Sequence, residues 1–326
     1  MSLVTLLVVD PGGLGILGRQ AWARLAPEAL RRLAPAESVE VRGAGEAGQA
    51  AWEAAIAGTR RVIAVGNDAT VHGVVNGLMR LAEGHRREMR FGILTLARQR
   101  SALARSLDWP LPAERQLDLL AAAHMLPWDV GRVECAGPDG TGARYFLSGA
   151  AFGLPGGVGL GALANAGLDL LMPGGRLAIR GILDGAVAFQ GPCSFGVALV
   201  GSHHPLLGGL APQANPLDGA LDVGWLPTAG ARQRVLALAG ALLGRSWGLT
   251  WRTALQVRIE GGPGAMTVTA DGIAVGKLPA TFTSLPRALP VIVESVGSRL
   301  RRKEEALLRK QAGASLAGEA KRTAGS

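Results

Sequence analysis

Hydrophobic and polar positions follow two different rhythms along the chain. Over residues 1–125, short apolar runs alternate with stretches whose apolar side chains recur three and four apart. That is the pattern of strands and helices layered on a parallel sheet. Residues 4–9 read as a buried strand and 14–33 as a helix with its charges on one face, and 39–41 and 46–57 repeat the pair. The clearest unit is the buried strand Arg61-Val62-Ile63-Ala64-Val65, a glycine turn over 66–70, and then Val71, Val74, Val75, Leu78 and Leu81 at helical spacing. A strand over 91–96 and a helix over 102–107 follow, and Trp109-Pro110-Leu111-Pro112 breaks the pattern.

From Trp128 onward the pattern is of short strands punctuated by glycine, expected at 129–134, 143–148, 194–200, 221–225, 253–259, 265–269, 280–283 and 290–293. Short strands separated by turns point to a second, mainly antiparallel β domain. Two helical segments, 160–189 and 231–243, are expected to interrupt it. The run Arg299-Leu300-Arg301-Arg302-Lys303-Glu304-Glu305 and its continuation to Lys310 read as one charged helix. It is either a solvated face or a dock for an anionic membrane surface.

Composition narrows the class. With 48% hydrophobic and 18% charged residues in 326 positions, the chain is not of the disordered type and has room for two domains. Two cysteines, Cys135 and Cys193, give neither a disulfide framework nor a four-thiolate zinc site. The apolar start lacks a basic flank and no run reaches the length of a membrane span, so a soluble, cytoplasmic protein is expected. The net charge of +9 is scattered, and a single tyrosine with 4% aromatics leaves few stacking platforms, so nucleic acid is not the expected partner. Lys277 is the first lysine, which excludes a Walker A lysine before it.

Candidate chemistry gathers where the 61–65 strand meets its helix, at Gly66-Asn67-Asp68-Ala69-Thr70. Free amides and the helix dipole there favour an anion, and Gly66 permits close backbone approach. Thr70 or Asp68 would cap the helix. A carboxylate such as Asp68 beside a phosphate needs a magnesium ion or a transferable proton between them. His203-His204 lack a nearby carboxylate or thiolate partner and read as a solvated loop, with a cleft base as the alternative. His72 reads as a helix-surface residue, or else as one facing a nucleotide. Trp247 and Trp251 read as core or as the wall of a lipid pocket.

The stretch from Gly66 through Val71-His72-Gly73-Val74-Val75-Asn76-Gly77-Leu78 resembles the G-G-D-G-T-x-x-E-V-x-N-G-L block of the diacylglycerol kinase and sphingosine kinase catalytic-domain family. Asp10-Pro11-Gly12-Gly13 resembles that family's opening N-P-x-x-G, and Ile93-Leu94-Thr95-Leu96 with Leu103-Ala104-Arg105-Ser106-Leu107 its I-L-P-x-G-T-x-N-D-x-A-R-x-L segment. The stretch from Gly208-Gly209 to Asp218-Gly219-Ala220-Leu221-Asp222 is similar to its D-D-G-x-L-D landmark, and Ala270-Asp271-Gly272-Ile273 to its late D-G-E. The resemblance implies an N-terminal Rossmann-like three-layer α/β nucleotide domain and a C-terminal antiparallel β-sandwich for the lipid. Their expected extents are 1–127, rejoined by 286–326, and 128–285. It further implies ATP and Mg²⁺ in the cleft, held by Asp10, Gly12, Gly13, Gly66, Asn67, Asp68 and Thr70. A structural magnesium would sit on Asp218 with the carbonyls of Asn215 and Ala220.

The sequence departs from the family's pattern where chemistry is expected. Asn67 and Ala69 replace two glycines of the phosphate turn, and their side chains are expected to obstruct the phosphate. The loop around Ala97-Arg98-Gln99-Arg100-Ser101 lacks the family's threonine and asparagine. Ile273 stands at the proposed base, leaving Asp271 as the nearest carboxylate, and Pro155 replaces an acidic residue that would meet the lipid head group. Two readings remain open. One is a lipid kinase that transfers the γ-phosphoryl group of ATP to a diacylglycerol- or sphingosine-type hydroxyl, with Asp68 and Asp271 catalytic. The other is an impaired pseudokinase that binds lipid or nucleotide. Peripheral contact with the inner membrane face and a homodimer are compatible with either.

Overall fold

The computed structural model of the protein describes residues 4–96, 101–110, 112–137, 140–157, 177–227, 236, 239–240, 248–261 and 266–299. The charged run from 300 to 310, the loop 97–100, Trp247 and the helical expectations over 160–176 and most of 231–243 lie outside these residues.

The first half forms a parallel sheet. Strands β1 (Thr5–Val9), β2 (Ala36–Glu40), β3 (Arg61–Val65) and β4 (Arg90–Leu94) lie in the order β2-β1-β3-β4. Every residue of β1 and β3 is buried, so these central strands read as unbroken apolar runs instead of alternating. Arg61, the charged exception, gives its guanidinium protons to Thr5 Oγ1 and to the carbonyls of Leu33 and Leu120. The helices are α1 (Pro11–Arg32), α2 (Gly43–Ile56), α3 (Asp68–Leu78), α4 (Glu83–Glu88), α5 (Ala102–Ser106) and α6 (Ala113–Ala122). α2 and α3 touch backbone to backbone. A methyl group on Gly73 would run into the Ala44 carbonyl oxygen, and one on Gly77 into that of Gly48.

The chain leaves β1 towards β2 on one side and returns to β3 on the other. The carboxyl ends of β1 and β3 therefore flank the point where strand order reverses, the crevice in which open α/β sheets bind ligands.

The second half is built from antiparallel strands: β5 (Met125–Gly137), β6 (Gly140–Phe146), β7 (Gly149–Phe152), β8 (Leu177–Leu183) and β9 (Ala186–Leu199), then β10 (His203–His204), β11 (Gly208–Gly209) and β12 (Leu221–Pro227), and finally β13 (Thr250–Ala254), β14 (Gln256–Glu260), β15 (Thr267–Ala270) and β16 (Ile273–Ile292). Six of them close on themselves in the order β16-β15-β7-β9-β8-β14 and back to β16, every pairing antiparallel. Within this region β16 also pairs with β5 along most of its length, and at Val291 it meets Phe91 of β4 in parallel. One strand thus joins the two sheets.

Three sequence expectations are corrected here. Residues 177–183 and 186–189 are strand, not helix, because Asp184-Gly185 takes left-handed backbone (φ 47° and 85°) and folds β8 onto β9 as a two-residue hairpin. The strand expected over 253–259 is divided at Leu255, where the Asp184 carboxylate accepts the amides of Leu255 and Gln256. The strands expected at 280–283 and 290–293 are parts of β16. Among the described residues no helix is long and apolar enough to cross a membrane.

Candidate active site

Two loops meet at the reversal point. Asp10 ends β1 and caps α1, its Oδ1 accepting the Gly13 amide at 3.0 Å. Its Oδ2 accepts the Thr70 hydroxyl at 3.1 Å, which ties the loop after β1 to the turn after β3. A Cβ on Gly13 would come within 2.9 Å of Asp10 Oδ2 and 3.0 Å of Asn67 Cγ, so only glycine lets the two loops approach this closely. Asp10, Gly12, Gly13, Gly66, Asn67 and Thr70 are therefore contiguous.

Asn67, rather than Asp68 or Thr70, is the N-cap of α3. Its φ is −98°, an ordinary extended value, and its Oδ1 accepts the amides of Ala69 at 3.0 Å and Thr70 at 3.2 Å. These are the amides that a phosphate would seek at a helix start. The side chain thus occupies the anion seat instead of projecting into the path of a ligand.

Asp68 turns inward. Its Oδ1 accepts the Ala102 amide at 2.8 Å, fastening α3 to the first turn of α5. Burial, with the Asp271 carboxylate adding to it, pushes its pKa up to about 7 against the pull of that amide and of Arg105. Near neutral pH the Asp68 carboxyl therefore exists in both protonation states.

Asp271 and Gly272 form the two-residue turn between β15 and β16, with φ of 47° and 83°. The Asp271 carboxylate accepts three backbone amides: Leu147 at 3.1 Å on Oδ2, and Ser148 at 2.9 Å and Gly149 at 3.2 Å on Oδ1. It is 2% exposed. The residue expected to serve as base is thereby committed to holding the β6–β7 connection, and a substrate proton would have to compete with amides for its lone pairs.

The sequence underrated two histidines. His72 is not a helix-surface residue: it is 4% exposed, and its Nδ1 lies 3.6 Å from Asp271 Oδ2. His204 is not in a solvated loop. It is 1% exposed in β10, with Nδ1 accepting the amides of Leu206 and Leu207, and burial pushes its pKa down to about 4. The sequence signal available for His72 was its place half a turn after Thr70; nothing local to His204 marks it.

A cavity of about 480 Å³ opens beside this cluster between the glycine-rich faces of α2 and α3, strand β6 and the start of β16. His72, Asn76, Arg80, Arg144, Tyr145 and Ile273 are among its lining residues, and among the described ones there is no carboxylate. Ile273 is thus at the cavity wall, half-buried, in the place where a proton acceptor was expected. Arg80 lies over the Trp52 ring at 4.1 Å at the α2 side. Trp251 packs over Gly224 on β12, half-buried.

The donors expected for a structural magnesium lie together in one turn. Asp218 Oδ1 accepts the Ala220 amide at 3.0 Å, and the Asn215 carbonyl accepts the Asp218 amide at 3.3 Å. This is an exposed Asx turn in which Asp218 Oδ1 and the Asn215 carbonyl each accept an amide of the turn. Among the described residues no group of three histidine, cysteine or carboxylate side chains is arranged to hold a metal ion.

Residues 5–133 match the diacylglycerol kinase catalytic domain, and residues 196–293 match the YegS C-terminal NAD kinase beta sandwich-like domain. Among curated proteins none matches the chain. A protein of Bacillus anthracis str. Sterne assigned as a diacylglycerol kinase shares the fold at a TM-score of 0.72 and 18% identity, over 90% of this chain and 95% of that one. An NAD kinase from Archaeoglobus fulgidus, solved in complex with ATP, aligns at 0.51 and 16% identity over 92% of this chain and 96% of its own. Yeast NADH kinase, complexed with NADH, aligns at 0.51 and 10% identity over 94% and 88%. The parallel half of the chain is thus a diacylglycerol kinase-type catalytic domain and the antiparallel half a YegS C-terminal-type sandwich-like domain.

Proposed function

We propose that the protein is a lipid kinase that moves the γ-phosphoryl group of MgATP to the hydroxyl of a diacylglycerol- or sphingosine-type lipid. The observation that carries this reading is the joined pair of loops at the strand-order reversal, where the Thr70 hydroxyl bridges to Asp10. Glycines 12, 13 and 66 let the two loops pack closely around Asp10, Asn67 and Thr70, and Asn67 gives up the amides of Ala69 and Thr70 when phosphate arrives. Metal enters with the nucleotide as substrate. Asp68 lies deeper, orients the α3–α5 junction and exchanges a proton near neutrality. The archaeal neighbour of the same fold was solved in complex with ATP, which supports a nucleotide as the ligand. In this reading residues 1–127 with 286–326 serve the nucleotide and 128–285 the lipid, at the inner membrane face.

A second reading, a lipid- or nucleotide-binding protein without turnover, is favoured by one observation: Asp271 spends its carboxylate on three amides. Calorimetric titration with MgATP, followed by transfer of labelled phosphate from ATP to vesicles of bacterial lipid extract, decides between the two. Micromolar binding that Asp68→Ala weakens at least tenfold, together with labelled lipid, supports the kinase. Binding without label leaves the non-catalytic reading, and no binding at millimolar ATP removes both the nucleotide site and the kinase.

A further inference from the structure

We infer that His72 is the general base of this site, with Asp271 as its positioning residue; the assignment rests on the kinase reading above. A phosphoryl acceptor must lose its hydroxyl proton to a group with a free lone pair at neutral pH. Among the described residues lining the cavity, the arginines are permanently protonated, the tyrosine is a weak acid, and no carboxylate is present. Among the described lining residues, His72 is the side chain whose ring nitrogen can accept a proton and later release it.

The hydrogen bonds around it select which nitrogen that is. The Asn76 side chain is pinned like a strand partner to Tyr145: its Oδ1 accepts the Tyr145 amide at 3.0 Å, and its Nδ2 donates to the Tyr145 carbonyl at 2.9 Å. Its second proton goes to the His72 carbonyl, also at 2.9 Å. Both protons are then used, so the 3.3 Å contact of Nδ2 with His72 Nε2 places no Asn76 proton on that nitrogen. The other nitrogen, Nδ1, is buried without a hydrogen-bond partner and lies 3.6 Å from Asp271 Oδ2. A carboxylate there favours the proton on Nδ1 and stabilises the imidazolium that forms, and such contacts tighten when substrate binds. Asp271 itself is held by amides from the β6–β7 connection, which makes it a fixed reference for the ring.

In the step, the acceptor hydroxyl gives its proton to His72 Nε2 and its oxygen bonds the γ-phosphorus. The bond from that phosphorus to the β,γ-bridging oxygen breaks, and ADP leaves with the electron pair. Asp271 of the β15–β16 turn faces the ring, and the other charged or titratable groups that line the same cavity are Arg144 and Tyr145 of β6 and Arg80 just after α3.

The test uses the full chain with MgATP and vesicles of bacterial lipid extract supplemented with dioleoylglycerol and sphingosine. His72→Asn is expected to lower kcat by about 10²- to 10⁴-fold. It should leave the KM for ATP within about threefold and remove the fall in rate on the acidic side of the pH profile. Asp271→Asn should lower kcat less and shift that profile. Full activity of His72→Asn with an unchanged profile would overturn the assignment while the kinase reading stands. A wild type that binds ATP but labels no lipid would overturn both. Where a variant fails to fold, ¹⁵N spectra of the wild-type imidazole decide: a proton on Nδ1 with bare Nε2 is expected, and a proton on Nε2 refutes the arrangement.

Discussion

At the scale of single residues, Asn67 shows how a substitution can keep a helix while occupying its ligand. Asn is a strong N-cap, and glycine at that position costs only a few tenths of a kcal/mol. Asn67→Gly should therefore leave the unfolding midpoint nearly unchanged and free the amides of Ala69 and Thr70. A freed pair of amides at about 1 kcal/mol predicts a roughly fivefold tighter Kd for ATP by calorimetry. Weaker binding would mean that the Asn67 side chain itself contacts the nucleotide. The identity of this residue was legible in the sequence, and so was its position in the turn. Its effect was not, because whether a side chain projects outward or folds back onto its own helix depends on torsions that spacing does not encode. The partners of Asp271 were hidden for a similar reason: its amide donors at 147–149 are more than 120 residues away in the chain.

At the scale of elements, the parallel half was readable nearly strand by strand, since buried central strands and amphipathic helices carry different periods. The antiparallel half was read less well. The Asp184-Gly185 hairpin lay inside a segment taken as helix, although an Asp-Gly pair between apolar runs is a strong hairpin signal; the same pair recurs at Asp271-Gly272. The close packing of α2 on α3 was invisible because it rests on what glycines lack. Gly77→Ala gains up to about 1 kcal/mol of helix propensity in α3, but its methyl must displace the Gly48 carbonyl. Overpacking of this kind costs typically about 1–3 kcal/mol. Urea denaturation should show a lower midpoint with an unchanged slope, and because Gly48 and Gly77 also line the cavity, ATP affinity should fall with it. A stabilised variant would mean that the helices separate at little cost.

At the scale of the whole molecule, the seam between the parallel and antiparallel halves holds buried titratable groups with opposed pH dependence. Asp68 has its pKa raised from 3.8 to about 7, so the folded chain keeps a proton that the unfolded chain releases. Its contribution to stability is greatest below pH 4 and is lost as pH rises to about 7. His204 has its pKa lowered from 6.5 to about 4, so the unfolded chain takes up a proton first, and stability is lost as pH falls through that range. At about 1.4 kcal/mol per unit of displacement, each group moves stability by a few kcal/mol, in opposite directions over overlapping ranges. The two slopes offset one another, and single variants should expose them. The stability of Asp68→Asn relative to wild type should climb from pH 4.5 to 7 and level off above that, whatever constant the substitution adds. His204→Asn keeps an acceptor for the Leu206 and Leu207 amides, and its relative stability should run the other way, highest at pH 4.5. Asp271 acts on both groups, so the double variant should depart from the sum of the single variants. Urea unfolding at pH 4.5, 5.5, 7 and 8 measures all three differences. A flat difference for Asp68→Asn would mean that this carboxyl ionises in the folded chain without penalty, and that the seam between the two halves is wet rather than closed.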